Sequence, residues 1–280
     1  MWFLFVLLYI ILAVIFTQFY KITTKSSKNP GALTVILQVL SGIVALLLCP
    51  FFKFSFPTDW RIYLFLGIAC CFYAISDRIN TTVRGGIEAS TFSIIKQLST
   101  VFMIIAGLLF FKEKFVLKKI IGAILILLSN VIIFYKKGNQ KFNKYILLAI
   151  LANIAFSIAL FLDVNISEKF NLGFYVAITL IVPALLIILF ERIKISNILS
   201  EFKSGNKKSI LITGISWSTM IIVQLIAYQL GDVTTVAPLC ALTVIGNVIV
   251  GYLFLGERDN LLKKVIAAFL VIISVILIKG

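Results

Sequence analysis

Apolar blocks, each long enough to cross a bilayer, recur along almost the whole chain. Ten can be read, at about 2–20, 33–52, 62–80, 88–111, 116–135, 145–165, 173–190, 209–230, 233–255 and 262–279. A helix needs about 20 predominantly apolar residues to span the hydrocarbon layer. With no water there to bond free N–H and C=O groups, such blocks cross as helices. The sequence therefore predicts an all-α membrane protein of ten transmembrane helices. Only 13% of residues are charged and 61% are hydrophobic, whereas about 25% charged is usual for a soluble domain.

The formal net charge of +15 raises the possibility of a nucleic-acid partner, but the distribution excludes it. The basic residues sit in short clusters between the blocks, as at Lys136-Lys137 and Lys207-Lys208, where they anchor and orient helices. No basic-aromatic surface forms. Cys49, Cys70, Cys71 and Cys240 lie within apolar blocks at spacings that suit neither zinc nor a redox pair. The sequence has no histidine, which removes histidine metal sites, Ser-His or Cys-His catalysis and histidine proton relays. No cofactor is expected. Neither HExxH, GxSxG nor a Walker A pattern occurs, so an intramembrane enzyme or direct ATP drive has no support. The first block lacks a basic n-region and a small-residue cleavage site, and reads as a retained helix. Lysine outnumbers arginine 21 to 5, a balance suggesting an AT-rich bacterial genome and hence a bacterial cell (inner) membrane.

The second half repeats the first. At an offset of 144, Thr91, Leu98, Gly107, Phe110 and Glu113 match Thr235, Leu242, Gly251, Phe254 and Glu257. One residue further on, Lys118-Lys119, Ala123 and Ser129 match Lys263-Lys264, Ala268 and Ser274. Upstream, Asn29-Pro30-Gly31 parallels Asn171-Leu172-Gly173, and Gly67 parallels Gly214. The expected repeats are 1–137 and 144–280, five helices each. An odd helix count forces opposite orientations, giving a 5+5 inverted repeat, an architecture found largely in transporters.

Two motifs carry a family resemblance: Leu108-Leu109-Phe110-Phe111-Lys112-Glu113 before the fifth block, and Gly251-Tyr252-Leu253-Phe254-Leu255-Gly256-Glu257 before the tenth. Thr234-Thr235-Val236-Ala237-Pro238-Leu239 adds to them. In these the chain resembles the EamA-like, ten-helix branch of the drug/metabolite transporter superfamily. The resemblance implies a solute cavity lined by helices 1, 3, 4, 6, 8 and 9, with 5 and 10 peripheral. It implies solutes ranging over amino acids, nucleotide sugars, other metabolites and drugs. Family members that exchange lipophilic cations for protons use a glutamate in the first helix. No acidic residue precedes Asp59 here.

Within the blocks, Lys96 is the most informative residue. Block 88–111 is centred near residues 99–100, so Lys96 lies about 6 Å from the midplane at about 1.5 Å rise per residue. A central lysine costs about 2.5–3.5 kcal/mol on insertion scales. Ser93, Lys96, Gln97 and Thr100 follow helical spacing and form a polar stripe. Two readings stay open: a cationic contact for a solute carboxylate or phosphate, or an internal ion pair with Asp163 or Asp77. In the second half Cys240, Thr243 and Asn247 share a face, at positions matching Lys96, Ser99 and Met103. Pro238 can free a carbonyl there, while Gly246 and Gly251 suit close helix approach. Trp217, Gln224 and Tyr228 line one face of block 8, with Tyr73, Asp77 and Thr81 as counterparts on block 3. Asn153 and Ser157 are further candidates on block 6.

Glu113 and Glu257 sit at helix ends and read as caps of the turn into the next helix. Arg78 and Arg84 fall in the third connection as a charged rim. The stretch 191–208, with Ile195, Ile198, Leu199 and Phe202, reads as an interfacial helix. The expected function is alternating-access transport of a small polar metabolite, an amino acid or other organic anion or zwitterion. A flippase or carrier for a lipid-linked or nucleotide-linked substrate is the alternative. The expected partners are the solute and membrane lipids, and homodimerisation is left open. Connections 1–2, 3–4, 5–6, 7–8 and 9–10 carry 17 Lys/Arg against 8 opposite. The positive-inside rule thus puts both termini outside, the reverse of what the resemblance implies.

Overall fold

The exterior of this chain is oily, and its interior holds many polar side chains beside an apolar core. Leu4, Ile11, Leu47, Leu109, Leu189 and Phe254 point outward, while Thr34, Gln38, Ser41, Ser76 and Ser218 are fully buried. The computed structural model describes residues 2–110, 117–134, 144–258 and 260–279. Phe111-Lys112-Glu113, Lys136-Lys137 and the repeat boundary at 137 lie outside the described residues, as do the extreme termini. All regular structure among the described residues is helical.

The helices are α1 (Trp2–Lys25), α2 (Pro30–Leu48), α3 (Trp60–Gly86), α4 (Ala89–Ile95), α5 (Leu98–Leu109), α6 (Leu117–Phe134), α7 (Lys144–Ile166), α8 (Leu172–Glu191), α9 (Ile195–Ser204), α10 (Lys207–Leu230), α11 (Val233–Cys240), α12 (Thr243–Leu255) and α13 (Leu261–Lys279). Among the described residues, eight segments are long and apolar enough to cross a membrane. The paired helices α4–α5 and α11–α12 each count as one of these eight, as 89–109 and 233–255. The most extensive contacts join α1 to α10, α3 to α7, α6 to α13 and α2 to α8.

Sequence sets the helix ends locally. Asn29 accepts the Ala32 N–H at 3.0 Å, and Asn171 that of Phe174 at 2.9 Å, each an asparagine N-cap. Asn171 also donates through Nδ2 to Cys49 O and Phe52 O. Behind each cap a glycine allows two helices to touch. A Cβ on Gly31 would strike the Glu191 carboxylate at the end of α8, and one on Gly173 would lie 2.8 Å from Cys49 N at the end of α2.

Two expectations about the helices are corrected. The polar run from Thr81 to Gly86 is helix, not connection, so Arg84 as well as Arg78 belongs to α3. Arg78 remains at an edge, paired with Glu191 at 2.6 Å, but Arg84 is buried. The blocks read as single helices at 88–111 and 233–255 are each broken in the middle. Stretch 191–208 does contain a short helix, α9. It exposes Ile195, Leu199 and Phe202 and tucks Glu201 inward to accept the Asn29 N–H at 3.1 Å.

Both breaks use the same device. In the first, Gln97 N bonds Ile94 O, Ser99 N bonds Lys96 O and Thr100 N bonds Gln97 O, each at 3.0 Å. In the second, Leu242 N bonds Leu239 O, Val244 N bonds Ala241 O and Ile245 N bonds Leu242 O, at 3.0–3.1 Å. Three-residue bonds tighten the chain for one turn and re-aim the helix after it. The second set lies one residue later than the Thr91–Thr235 match implies. In hydrogen-bond register, Lys96 therefore corresponds to Ala241 rather than Cys240.

Glu257 is a cap, but not of the helix that follows it. Gly256 ends α12 with φ +66°, the left-handed region that glycine adopts without a Cβ penalty. That turn returns Glu257 N to Gly251 O at 3.1 Å and sends the carboxylate across to α4. There it accepts Ala89 N at 2.6 Å, Ser90 N at 3.0 Å and Ser90 Oγ at 2.5 Å. Gly251 leaves room for it, since a Cβ there would lie 2.7 Å from the carboxylate. On the other side of the same turn, Lys21 donates to Arg84 O at 2.6 Å and Ile87 O at 2.5 Å. A cation thus closes the C-terminus of α3 and an anion the N-terminus of α4, as the helix dipoles favour.

Candidate functional site

The helices that meet at the centre of the bundle enclose a cavity of about 40 Å³. Helix α3 supplies Tyr73, Asp77, Asn80 and Arg84, and α7 supplies Asn153, Phe156 and Asp163. Trp217 and Gln224 come from α10, Phe16 and Tyr20 from α1, and Phe92 from α4, with Lys96 at the break. A second space of about 20 Å³ lies beyond Lys96, bordered by Gln97, Thr100, Gln224, Tyr228, Cys240 and Thr243. Lys96, Phe156, Leu160 and Gln224 border both.

Two acidic and two basic side chains face the first cavity. Asp163 is buried and accepts the hydroxyls of Tyr73 at 2.5 Å and Tyr175 at 2.7 Å. Asp77 accepts Gln38 Nε2 at 2.9 Å. Lys96 holds its ammonium 4.9 Å from the centre of the Phe156 ring. Among the described residues, neither Asp77 nor Asp163 forms an ion pair with it. Arg84 is 3% exposed, with its guanidinium 4.0 Å from the Phe92 ring, 4.7 Å from Tyr20 and 5.2 Å from Phe16. Its Nε and Nη1 have no hydrogen-bond partner among the described residues.

Of the residues singled out from sequence, Tyr73, Asp77, Lys96, Asn153, Trp217 and Gln224 come together at the first cavity. Gln97, Thr100, Tyr228 and Thr243 border the second. Ser93, Ser157 and Asn247 line neither. Ser93 donates to Ala89 O and Ser157 to Asn153 O. Asn247 bonds Gln18 and the Thr243 carbonyl. Gln97 has a backbone task as well. The break redirects its N–H to Ile94 O, and its side-chain Nε2 takes up Ser93 O at 2.9 Å.

Sequence reasoning passed over Arg84, Phe16, Tyr20, Phe92 and Phe156 as cavity residues, and considered Asp163 only as an ion-pair partner. Phe16 and Tyr20 carry an available signal, an i, i+4 aromatic pair on one face of the first block. Their rings lie 5.2 Å apart and stack on Trp217 at 5.3 and 5.6 Å.

The sequence model of the EamA-like transporter family matches residues 1–135 and, a second time, residues 143–280. The chain belongs to that family. EamA-like transporters are multi-pass membrane proteins that move small solutes and are not enzymes. No curated protein matches the chain. A crystal structure of another protein superposes on 98% of this chain and 94% of its own, with a TM-score of 0.67 at 15% identity. At that identity the likeness shows the fold alone.

Proposed function

We propose that this EamA-like transporter is a secondary carrier that moves a small polar metabolite bearing an anionic group by alternating access. Its halves, residues 1–137 and 144–280, form a 5+5 inverted repeat in which α6 and α13 complete ten spans. Exchanging the halves maps α1 on α10 onto α7 on α3, and these are the two largest contacts. It also maps Gly31 against the end of α8 onto Gly173 against the end of α2, and one helix break onto the other. A bundle whose halves can exchange conformations can expose a central site to each side in turn.

Lys96 is the observation that carries the solute reading. An ammonium deep in a membrane bundle persists only with a partner or water, and no carboxylate pairs with this one among the described residues. Its place at a helix break, between the two cavities, gives it a solute-facing position. The test compares wild type with Lys96→Met in thermal shift and in liposome counterflow, using amino acids and organic anions as probes. The expected Lys96→Met protein folds with a melting temperature close to wild type, because no buried carboxylate loses its partner. It shows neither solute-induced stabilisation nor counterflow. Unaltered stabilisation in Lys96→Met would overturn the assignment.

A further inference from the structure

Arg84 is the other cation at the cavity, and its surroundings are more specific than those of Lys96. Three aromatic rings crowd its guanidinium, that of Phe92 as close as 4.0 Å. A planar guanidinium covered on its faces can donate hydrogen bonds only from its edge. Two of the edge nitrogens, Nε and Nη1, are buried without a partner among the described residues. Native proteins rarely leave buried donors unmet, and where they do a ligand or function is the usual reason. The side chain is not free to seek another partner. Its backbone carbonyl is fixed by Lys21, and its rings come from both α1 and α4.

We propose that Arg84 recognises the carboxylate of the transported solute, giving two parallel hydrogen bonds from its edge, and that the solute is a zwitterion whose cationic end faces Asp77. The inference rests on the carrier reading above and adds to it a recognition residue and a charge pattern. A carboxylate matches the guanidinium fork in shape as well as charge. The zwitterion follows from balance. Arg84 and Lys96 face Asp77 and Asp163 across one small space, so in their ordinary charge states the four cancel. A dianion would leave the carboxylates opposed by like charge. Asp163 has both oxygens occupied by tyrosine hydroxyls. Asp77 has only one engaged, by Gln38, which leaves the other for a cation. Trp217, Phe16 and Phe156 supply an apolar wall between the poles for the remainder of the solute.

The experiment uses full-length protein in detergent and in liposomes, with three probe sets: L-amino acids, dicarboxylates and phosphate monoesters. The proteins are wild type, Arg84→Lys, Arg84→Gln and Asp77→Asn. Amino acids should stabilise wild type, and the other two sets should not. Arg84→Lys keeps the charge and the aromatic contact but loses the fork, and should need about ten-fold more amino acid for half-maximal stabilisation. Arg84→Gln should show none, and Asp77→Asn should be weakened for amino acids. If Arg84→Gln does not fold, Arg84→Lys carries the test alone. An unchanged half-maximal concentration in Arg84→Lys overturns the role of Arg84. Stabilisation of wild type by dicarboxylates or phosphate monoesters in place of amino acids overturns the zwitterion. Stabilisation without saturable counterflow would instead defeat the carrier reading and leave the recognition residue standing.

Discussion

Glu257 should matter to stability more than any other exchange in the α12–α13 turn, and its geometry sets the size of the effect. Its carboxylate accepts three hydrogen bonds at the start of α4, from two backbone N–H groups and one hydroxyl, in surroundings where Ala89 and Ser90 are each 1% exposed. Glu257→Ala leaves two buried backbone donors without an acceptor, at about 1–3 kcal/mol each. The Ser90 hydroxyl can rotate to a new acceptor and adds little. The loss of an anion at a helix N-terminus adds about 0.3–1 kcal/mol. The expected total is about 2–7 kcal/mol. Glu257→Gln keeps one acceptor oxygen but turns an NH₂ towards donors, and should cost roughly half as much. At about 2–4 °C per kcal/mol for a chain of this size, the alanine variant should melt about 5 °C or more below wild type in detergent. The glutamine variant should fall between them. Equal melting temperatures for all three proteins would refute the cap. A glutamine variant that melts as low as the alanine variant would assign the effect to charge alone.

Asp163→Asn should melt lower than wild type without any solute, by about 1–3 kcal/mol, because the two tyrosine hydroxyls at 2.5 and 2.7 Å lose an anionic acceptor. An unchanged melting temperature would show that Asp163 does not hold α7 to α3 and α8. For orientation, the side bearing α9 keeps the larger number of Lys and Arg even after Lys21, Arg78 and Arg84 withdraw into helices, so it should face the cytoplasm. A cysteine replacing the exposed Lys203, in a background without native cysteines, should therefore resist membrane-impermeant reagent in intact cells. Rapid labelling would reverse the assignment.

The apolar blocks made the helices and the membrane legible in the sequence, because in lipid hydropathy alone dictates where a helix can run. The limits of that rule account for what was missed. The run from Thr81 to Gly86 contains Thr82, Arg84 and two glycines, a composition that reads as a connection. It continues α3 because its polar groups face a polar interior: Thr81 Oγ1 bonds Asp77 O at 3.0 Å and Tyr20 Oη at 2.6 Å. Arg84 went unrecognised for this reason, as a rim residue that is in fact buried. The two helix breaks differ in legibility. The second follows Pro238, whose missing donor is visible in the sequence. The first, at Lys96-Gln97, has neither proline nor glycine nearby, and only its hydrogen bonds reveal it. The partner of Glu257 was equally hidden, since its cap lies across the bundle and sequence distance gives no hint of it.

Hydrogen bonds sort the polar residues more sharply than their spacing does. A break inside a bilayer releases backbone carbonyls that no water can reach, and each needs a substitute donor. Gln97 provides one for Ser93 O and also accepts Thr100 Oγ1 at 3.2 Å, so two members of the polar stripe help to maintain the break itself. Asn153, Ser157 and Asn247 likewise donate to carbonyls four residues back on their own helices. Such bonds satisfy these side chains within their own helices. Lys96 and Arg84 are different. Their ammonium and guanidinium groups lie at the cavity, and neither joins a carboxylate among the described residues. Burying a charge in a membrane without an internal partner is the costlier arrangement, and a bundle evolved only for stability would have no reason to keep two. Their persistence follows if the anion that completes them arrives with the solute, which makes the helix break the device that puts Lys96 within its reach.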